Sequence, residues 1–318
     1  MRLLIILLLA ALCAAQPTPI IFDTDIGNDV DDALALAVLH ALESRGEARL
    51  LAVTITKDNR FAAPFVDLVN TFYGRPGIPI GVVRSGKTPE DSAMIRIPAE
   101  RRRPDGSFVY PHRLTDGAAA PEATAVLRRA LESAADSSAV IVQVGFSTNL
   151  ARLIASPTDR ALVARKVRLL SAMAGHFPSG DPEYNVKTDI PAAQELCASW
   201  PTPIVFSGYE IGRALLFPAS AVERDFSWTP AHPVADAYRN YQRMPYDRPA
   251  WDLTAALYAV RPDRGYFDLS PPGRVTVDDR GQTRFNADPA GRHRYLILRE
   301  EQKARTLEAL VLLATQPR

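Results

Sequence analysis

Cysteine is almost absent from this chain of 318 residues, which contains only Cys13 and Cys197. Cys13 lies in an apolar leader, so the part of the chain after the leader has a single thiol. One thiol cannot form an intramolecular disulfide, and the fold must therefore be held together by its hydrophobic core. Cys197 lies in the helical pattern AAQELCASW, which is typical of a small buried side chain rather than of a nucleophile.

The chain also lacks an excess of charge of either sign. Lys and Arg together number 37, Asp and Glu number 36, and the net charge is +1. Without a basic excess or a polybasic tail, the composition predicts neither nucleic-acid binding nor attachment to an anionic membrane. The hydrophobic fraction of 47% is that of a globular protein with a large core.

Long apolar runs are missing except in the N-terminal stretch MRLLIILLLAALCAAQPTP, whose run is too short to span a membrane comfortably. It begins with basic Arg2 and ends in small residues, the pattern of a secretory signal peptide cleaved after Ala15. We therefore expect a signal peptide at 1–15, a single domain at 16–318, and a secreted or periplasmic protein that binds no membrane after cleavage. A buried first strand or helix is the alternative interpretation.

Strand-like apolar runs alternate with helical patterns along the rest of the chain. The predicted strands are PIIFDTD, ARLLAVTIT, IPIGVV, AVIVQVG, KVRLLSAMAG and TPIVFSG. The predicted helices are DDALALAVLHALESRG, FAAPFVDLVNTFYG, PEATAVLRRALESAAD and DIPAAQELCASW. Continuously apolar strands separated by helices indicate an α/β fold with an open, mostly parallel, Rossmann-like sheet and helices on both faces. The segment 86–121 is predicted to be one long irregular loop, and 266–318 a hairpin with a closing helix.

Polar residues recur where the predicted strands end. DTD ends the first strand, TKDN the second, VGFSTN the fourth, and AGHFPSGDPEYN the fifth. In open parallel sheets, ligands bind beyond the carboxyl ends of the strands. The sequence therefore predicts a functional site along this edge of the sheet.

Five aspartates fall within ten positions of PIIFDTDIGNDVDDALAL, namely Asp23, Asp25, Asp29, Asp31 and Asp32. One or two of them would serve to open a helix, where carboxylates accept free N–H groups and suit the helix dipole. The others need another explanation, because crowded carboxylates repel each other unless a cation lies among them. Ligation by oxygen alone indicates a hard cation, and we expect Ca²⁺ ahead of Mg²⁺.

Two metal-binding motifs can be tested against this cluster. An EF-hand loop counted from Asp23 would need glycine at position six and glutamate at twelve, but Gly27 is at five and Leu34 at twelve. A strand followed by D-x-D also fits a haloacid-dehalogenase-type phosphatase. That motif does not accommodate Ile26 and Gly27, and it leaves the second pair of acids unexplained. A metal-dependent phosphatase therefore stays as an alternative class.

The stretch DTDIGNDVDDALAL resembles the signature D-x-D-P-G-x-D-D-A of the inosine/uridine-preferring nucleoside hydrolases. AVTITKDN, VGFSTNLA, EYN and AWDLTAALYAV resemble further segments of that family in the same order, over residues 19–265. The resemblance implies the nucleoside hydrolase fold, and calcium-dependent hydrolysis of the N-glycosidic bond of ribonucleosides to base and ribose. It also implies a small nucleoside as the substrate and a homo-oligomer.

The resemblance further implies roles for individual residues. Asp25 would be the general base that activates water. The metal ligands would be Asp25, Asp32, Asp252 and the carbonyl oxygen of Val144. Residues implied or considered as contacts to the nucleoside are Asp31, Asn59, Glu183, Asn185, Trp251 and His176.

The chain departs from the family pattern at two places. Two additional residues stand between Asp25 and the Asp31–Asp32 pair, which leaves Asp29 without an assigned role. Trp251 stands where several members have a histidine that protonates the leaving base, so either Trp251 stacks on the base or it is a core indole. His176, at a strand end, is the candidate replacement acid. Purine or pyrimidine preference is left open.

Two further hypotheses stand beside this one, and the first of them follows from these departures. The first keeps the fold and the metal but changes the substrate to another N-ribosyl compound. The second is a secreted nucleoside- or ribose-binding protein without catalysis, and the retained aspartates argue against it.

Overall fold

The structure is a computed structural model that describes residues 16–317. The predicted signal peptide at 1–15 lies outside the described residues. Within residues 16–317, no helix has the length and apolar character needed to cross a bilayer.

A ten-stranded sheet forms the centre of the molecule. Its strands are β1 (Thr18–Thr24), β2 (Ala48–Lys57), β3 (Ile80–Lys87), β4 (Ala139–Gln143), β5 (Val167–Met173), β6 (Ile204–Ser207), β9 (Asp268–Leu269), β10 (Gly273–Val277), β11 (Thr283–Ala287) and β12 (His293–Ile297). The order is β11-β10-β12-β6-β5-β4-β1-β2-β3, and β9 pairs with β12. The run from β12 to β3 is parallel throughout, and the pairings of β9, β10 and β11 are antiparallel. A separate two-stranded ribbon pairs β7 (Leu216–Phe217) with β8 (Arg248–Pro249).

Helices cover both faces of the sheet. They are α1 (Asp31–Ser44), α2 (Ala62–Phe72), α3 (Ala93–Glu100), α4 (Ala123–Ser133), α5 (Thr148–Ala155), α6 (Pro157–Lys166), α7 (Tyr184–Thr188), α8 (Ile190–Ser199), α9 (Tyr209–Arg213), α10 (Ala219–Arg224), α11 (Pro233–Tyr241), α12 (Trp251–Val260) and α13 (Glu300–Thr315). Because side chains alternate along β1, Ile20 and Phe22 pack into one core with α1, α12 and α13, while Ile21 packs into the other with α4, α5 and α8.

The predicted α/β class with a mostly parallel sheet is confirmed, and the six predicted strands correspond to β1 to β6. The four predicted helices correspond to α1, α2, α4 and α8. The hairpin of 266–318 is β10–β11, and the closing helix is α13. The sequence did not predict β12, which extends the parallel sheet beside β6.

The prediction that 86–121 is irregular throughout is wrong in part. This segment contains α3 and a short 3₁₀ helix at Gly117–Ala119. The helix α3 was not predicted because it contains Pro98, and proline normally interrupts a helix. The helix nevertheless forms and buries Met94, Ile95, Pro98 and Ala99, because tertiary packing outweighs the local preference.

The carboxyl ends of β1, β2 and β4 pack closely against one another at Gly145. The amide of Val144 donates a hydrogen bond to the carbonyl of Asp23 at 2.7 Å, and the hydroxyl of Thr56 donates to the carbonyl of Thr24 at 3.2 Å. A Cβ atom at Gly145 would lie 2.4 Å from the Thr56 hydroxyl and 2.6 Å from the Asp25 amide nitrogen. The close approach of these strand ends therefore requires glycine.

We predict that Gly145→Ala destabilises the protein by about 1–3 kcal/mol, because the methyl group must push backbone and hydroxyl apart. Gly77→Ala is the matched control, since a Cβ at Gly77 meets no atom within 4 Å. The measurement is the free energy of unfolding from urea denaturation. Equal stability of the two variants would contradict the prediction.

Candidate active site

A cavity of about 560 Å³ opens beyond the carboxyl ends of the parallel strands, within the size range of small-molecule sites. The residues named from the sequence that line it are Asp25, Asp31, Asp32, Val144, His176, Glu183, Asn185, Trp251 and Asp252. The other lining residues are Asn28, Asp29, Met173, Asp181, Pro182, Tyr184, Lys187, Tyr209, Tyr241 and Arg248. Segments as distant in sequence as 25–32 and 248–252 thus contribute to one site.

Three buried carboxylates converge on one side of the cavity. Oxygen atoms of Asp31, Asp32 and Asp252 all lie within 4.8 Å of one another. The first two open α1 and the third lies in the first turn of α12, so two helix N-termini point at the same place. The amide of Asp252 donates to Asp31 Oδ2 at 3.1 Å, and the hydroxyl of Thr24 donates to Asp32 Oδ1.

The electrostatics of this cluster are those of acids buried close together. Burial raises the pKa of Asp31, Asp32 and Asp252 well above 3.8, and the neighbouring carboxylates raise it further. A divalent cation among these oxygens would remove both the repulsion and the shift. The donor set consists only of oxygen atoms, so it fits a hard cation.

Asp25 lies beside this cluster at the end of β1. Its burial raises its pKa from 3.8 to about 7, although a hydrogen bond from Asn28 acts in the opposite direction. Asn28 Nδ2 donates to Asp25 Oδ2 at 2.8 Å. Asp25 is therefore a buried carboxylate with one oxygen held by a donor, an environment that suits a base working near neutral pH.

Asp23 faces away from the cavity. Its Oδ1 accepts hydrogen bonds from the Thr54 hydroxyl at 2.6 Å and from Asn149 Nδ2 at 2.9 Å. These bonds tie β1 to β2 and to α5. Asp23 thus supports the strand ends that carry the site.

Glu183 and Asn185, at the start of α7, also line the cavity. Glu183 accepts the amide hydrogens of Asn185, Val186 and Gly175 at 2.8–3.2 Å, and burial raises its pKa to about 7. Asn185 Nδ2 donates to the carbonyl of Val144 at 2.7 Å. The carbonyl proposed as a metal ligand is therefore oriented by a residue proposed to contact the sugar.

An aromatic wall borders the cavity. The Trp251 ring stacks on Tyr209 with centroids 5.5 Å apart, and its Nε1 donates to the Tyr209 carbonyl at 2.9 Å. The His176 ring contacts Tyr209 at 5.4 Å. Flat aromatic surfaces suit a planar ring such as a nucleobase. Tyr209 was not identified from the sequence, since its motif "SGYE" follows a strand like many loop residues.

Asp29, whose role could not be assigned from the sequence, pairs with Arg248. The guanidinium of Arg248 binds both carboxylate oxygens, with Nε 2.9 Å from Oδ1 and Nη2 on Oδ2. It also lies over the rings of Trp251 and Tyr241, 5.2 and 5.1 Å from their centroids. One of the five clustered charges is therefore balanced by a cation more than two hundred residues away, and no sequence spacing connects the two.

Asn59 does not join the cavity, and the expectation that it contacts ribose is not supported. Its Nδ2 donates to the carbonyls of Pro89 and Glu90 at 3.1 and 3.0 Å, and its Oδ1 accepts from the amide of Phe61. The reason is that β2 ends at Lys57 and the chain then turns away. At the strand end it is the Lys57 side chain that points toward the site, bound to Asn28.

Comparison with known proteins agrees with this arrangement. The family model described as inosine-uridine preferring nucleoside hydrolase matches residues 20–311. No curated protein sequence matches significantly.

Solved structures share the fold over almost their whole length. A plant nucleoside hydrolase is 23% identical, with 95% of this chain and 100% of that chain covered and a TM-score of 0.69. An inosine-uridine preferring nucleoside hydrolase from Bacillus anthracis is 17% identical, with 94% and 99% covered and a TM-score of 0.69. The type III effector protein XopQ, complexed with adenosine diphosphate ribose, is 18% identical, with 95% and 94% covered and a TM-score of 0.68.

Since the family model spans nearly all of the described residues, the site can be assigned to a family of metal-dependent glycosidases. The chain belongs to the inosine-uridine preferring nucleoside hydrolases.

Proposed function

We propose that the protein is a calcium-dependent hydrolase that cleaves the N-glycosidic bond of ribonucleosides to give free base and ribose. The observation that carries the proposal is that Asp25, the carboxylate cluster and the aromatic wall all line one cavity. The reaction requires an activated water, a fixed sugar and a place for the departing base, and these parts of the cavity would provide them.

Calcium would be held by Asp25, Asp32, Asp252 and the Val144 carbonyl, with Asp31 adjoining them. When bound, the ion supplies positive charge that offsets the carboxylates and makes water more acidic. A set of carboxylate and carbonyl oxygens suits calcium better than magnesium, because magnesium requires a stricter octahedral geometry.

Asp25 would take the proton from the attacking water while the sugar acquires oxocarbenium character. Asp31 and Asn185 would hold the ribose hydroxyls, and Glu183 the 5′ side. A site built to bond sugar hydroxyls rejects 2′-deoxy substrates, because its buried polar groups would be left unpaired. Asn59 has no part in this scheme.

The departing base would lie against Trp251 and Tyr209. Trp251 cannot deliver a proton to it, since the indole nitrogen is weakly acidic and is bonded to the Tyr209 carbonyl. His176, on the same wall, is the residue that could donate one.

The second candidate is hydrolysis of a different N-ribosyl compound in the same cavity. Trp251 in place of a histidine and the displacement of Asn59 favour it. The adenosine diphosphate ribose complex of XopQ is a further reason to include larger ribosides.

We predict that purified protein with calcium releases sugar from at least one of inosine, uridine, adenosine and cytidine, and that Asp25→Ala lowers kcat about 10²–10⁴-fold. Asp136→Ala is the matched control, because Asp136 is 64% exposed and lies away from the cavity. Faster cleavage of nicotinamide riboside would select the second candidate. Release of phosphate from nucleotides without sugar release, or full activity of Asp25→Ala, would contradict the proposal.

We also predict that the metal-free protein loses stability as the pH rises from about 4 to about 7. Asp23 and Asp25 have pKa values raised from 3.8 to about 7, and Glu183 from 4.5 to about 7. In this window the raised acids bind more protons in the folded state than in the unfolded state, so raising the pH favours unfolding. They outnumber His40 and His293, whose lowered pKa values of about 3 and about 4 act in the opposite direction. The measurement is the Tm across this range with chelator and with excess calcium, which should raise the Tm most at the upper end. A Tm that increases with pH in the presence of chelator would contradict the prediction.

A further inference from the structure

We propose that Lys57 is a positioning residue that acts through Asn28 to hold the Asp25 carboxylate in its working orientation. The base role of Asp25 rests on the proposed function, whereas the positioning itself rests on the contacts below. The network spans the ends of β1, β2 and β3 and reaches the carboxylate cluster only through Asp25.

The contacts form a chain from the lysine to the base. Lys57 Nζ donates to Asn28 Oδ1 at 2.8 Å and to the Thr88 carbonyl at 2.7 Å. Asn28 Nδ2 in turn donates to Asp25 Oδ2 at 2.8 Å and to the Thr88 hydroxyl at 3.1 Å. Asn28 lines the cavity, whereas Lys57 is buried behind it with 2% of its surface exposed.

The two ends of this chain fix which way the amide of Asn28 points. An ammonium group can only donate, so Lys57 requires the amide oxygen to face it. An ionised Asp25 can only accept, so it requires the amide NH₂ group. Without Lys57 the amide would be oriented by Asp25 and Thr88 alone, and Asn28 would be held less firmly against the carboxylate.

The consequence falls on the two oxygens of Asp25. Oδ2 accepts the hydrogen bond from Asn28, so the relay does not engage the other oxygen, Oδ1. The relay therefore fixes the carboxylate plane and leaves one oxygen available to water and cation. Displacing a reacting group by about 1 Å can cost about 10²-fold in rate.

Two backbone features indicate that the network is built into the fold. Gly27 has φ +109°, and a Cβ there would lie 3.1 Å from Lys57 Cδ and 2.6 Å from Ile95 Cδ1. The lysine stem thus passes over a residue that must be glycine. Thr88, a β-branched residue, has φ +52°, a conformation that such residues rarely adopt and that concentrates at functional sites.

This assignment also gives a purpose to the lengthened segment between Asp25 and Asp31. Within it, Gly27 makes room for the lysine, Asn28 transmits its orientation, and Asp29 anchors Arg248. The lysine stands at the end of the strand from which Asn59 was expected to reach the sugar.

The test is a double-mutant cycle of Lys57→Met and Asn28→Leu, assayed on the nucleoside that wild-type protein cleaves. Each single variant should lower kcat about 10–100-fold while KM changes less than about 3-fold. Because the two residues act in series, the double variant should lose no more than the worse single one. Lys303→Met, at an exposed ion pair on α13, is the matched control and should stay within about 2-fold of wild type.

Asn28→Asp is the variant that keeps the size and the bond to Lys57 but replaces the donor to Asp25 by an acceptor. Its kcat should fall at least as far as that of Asn28→Leu. Because aspartate has almost the same size as asparagine, a loss in this variant is not caused by altered packing. The proposal would be overturned if the kcat loss of the double variant equalled the product of the two single losses. It would also be overturned if Asn28→Asp kept the wild-type kcat.

Crystal structures of wild type and Lys57→Met separate this inference from the proposed function. The variant should show the Asn28 amide and the Asp25 carboxylate turned from their wild-type positions. An unmoved Asp25 would overturn the positioning role. If wild type cleaves no nucleoside but Asp25 moves as expected, the proposed function fails and the positioning role stands.

Discussion

The structure depends on carboxylates that are buried together where a parallel sheet ends. Asp31, Asp32 and Asp252 place oxygens within 4.8 Å of one another, and Asp25 is next to them. In a low-dielectric surrounding these groups repel each other strongly when ionised and lose their hydration as well. The arrangement is explained if the carboxylates bind a cation. Most other features of the cavity either position these carboxylates or reduce the repulsion among the acids.

Cations of the surrounding protein balance part of the negative charge around the cavity. Arg248 neutralises Asp29 with a two-pronged contact, while Lys57 reaches Asp25 only through Asn28. The remaining acids face the N-termini of α1 and α12. The inner carboxylates are thus left for a metal, while cations of the protein itself are kept one residue away from them.

The features of the fold and the site that could be predicted from the sequence are those with local signals. Continuous apolar runs and helical periodicity gave β1 to β6 and the main helices, because those patterns depend on neighbouring residues. The cluster of acids in DTDIGNDVDD was recognisable from its crowding at a predicted strand end, and Asp252 from the resemblance of AWDLTAALYAV to the family. The roles of Arg248, Tyr209 and Lys57 were not recognisable, since each depends on where a loop brings a distant side chain. The position of Asn59 after β2 likewise does not determine the direction of its side chain, which lies outside the cavity lining.

The central claim is that the buried acids form a calcium site, and calorimetric titration of the metal-free protein with calcium tests it most directly. The titration is carried out near pH 6 in two buffers that differ in their enthalpy of ionisation. Burial raises the pKa of Asp25 to about 7 and the pKa of each clustered acid well above 3.8, so we expect these groups to release protons when calcium binds. The account predicts saturable binding of a single calcium ion, with about one or more protons released to the buffer. No binding, or binding whose heat is the same in both buffers, would contradict it.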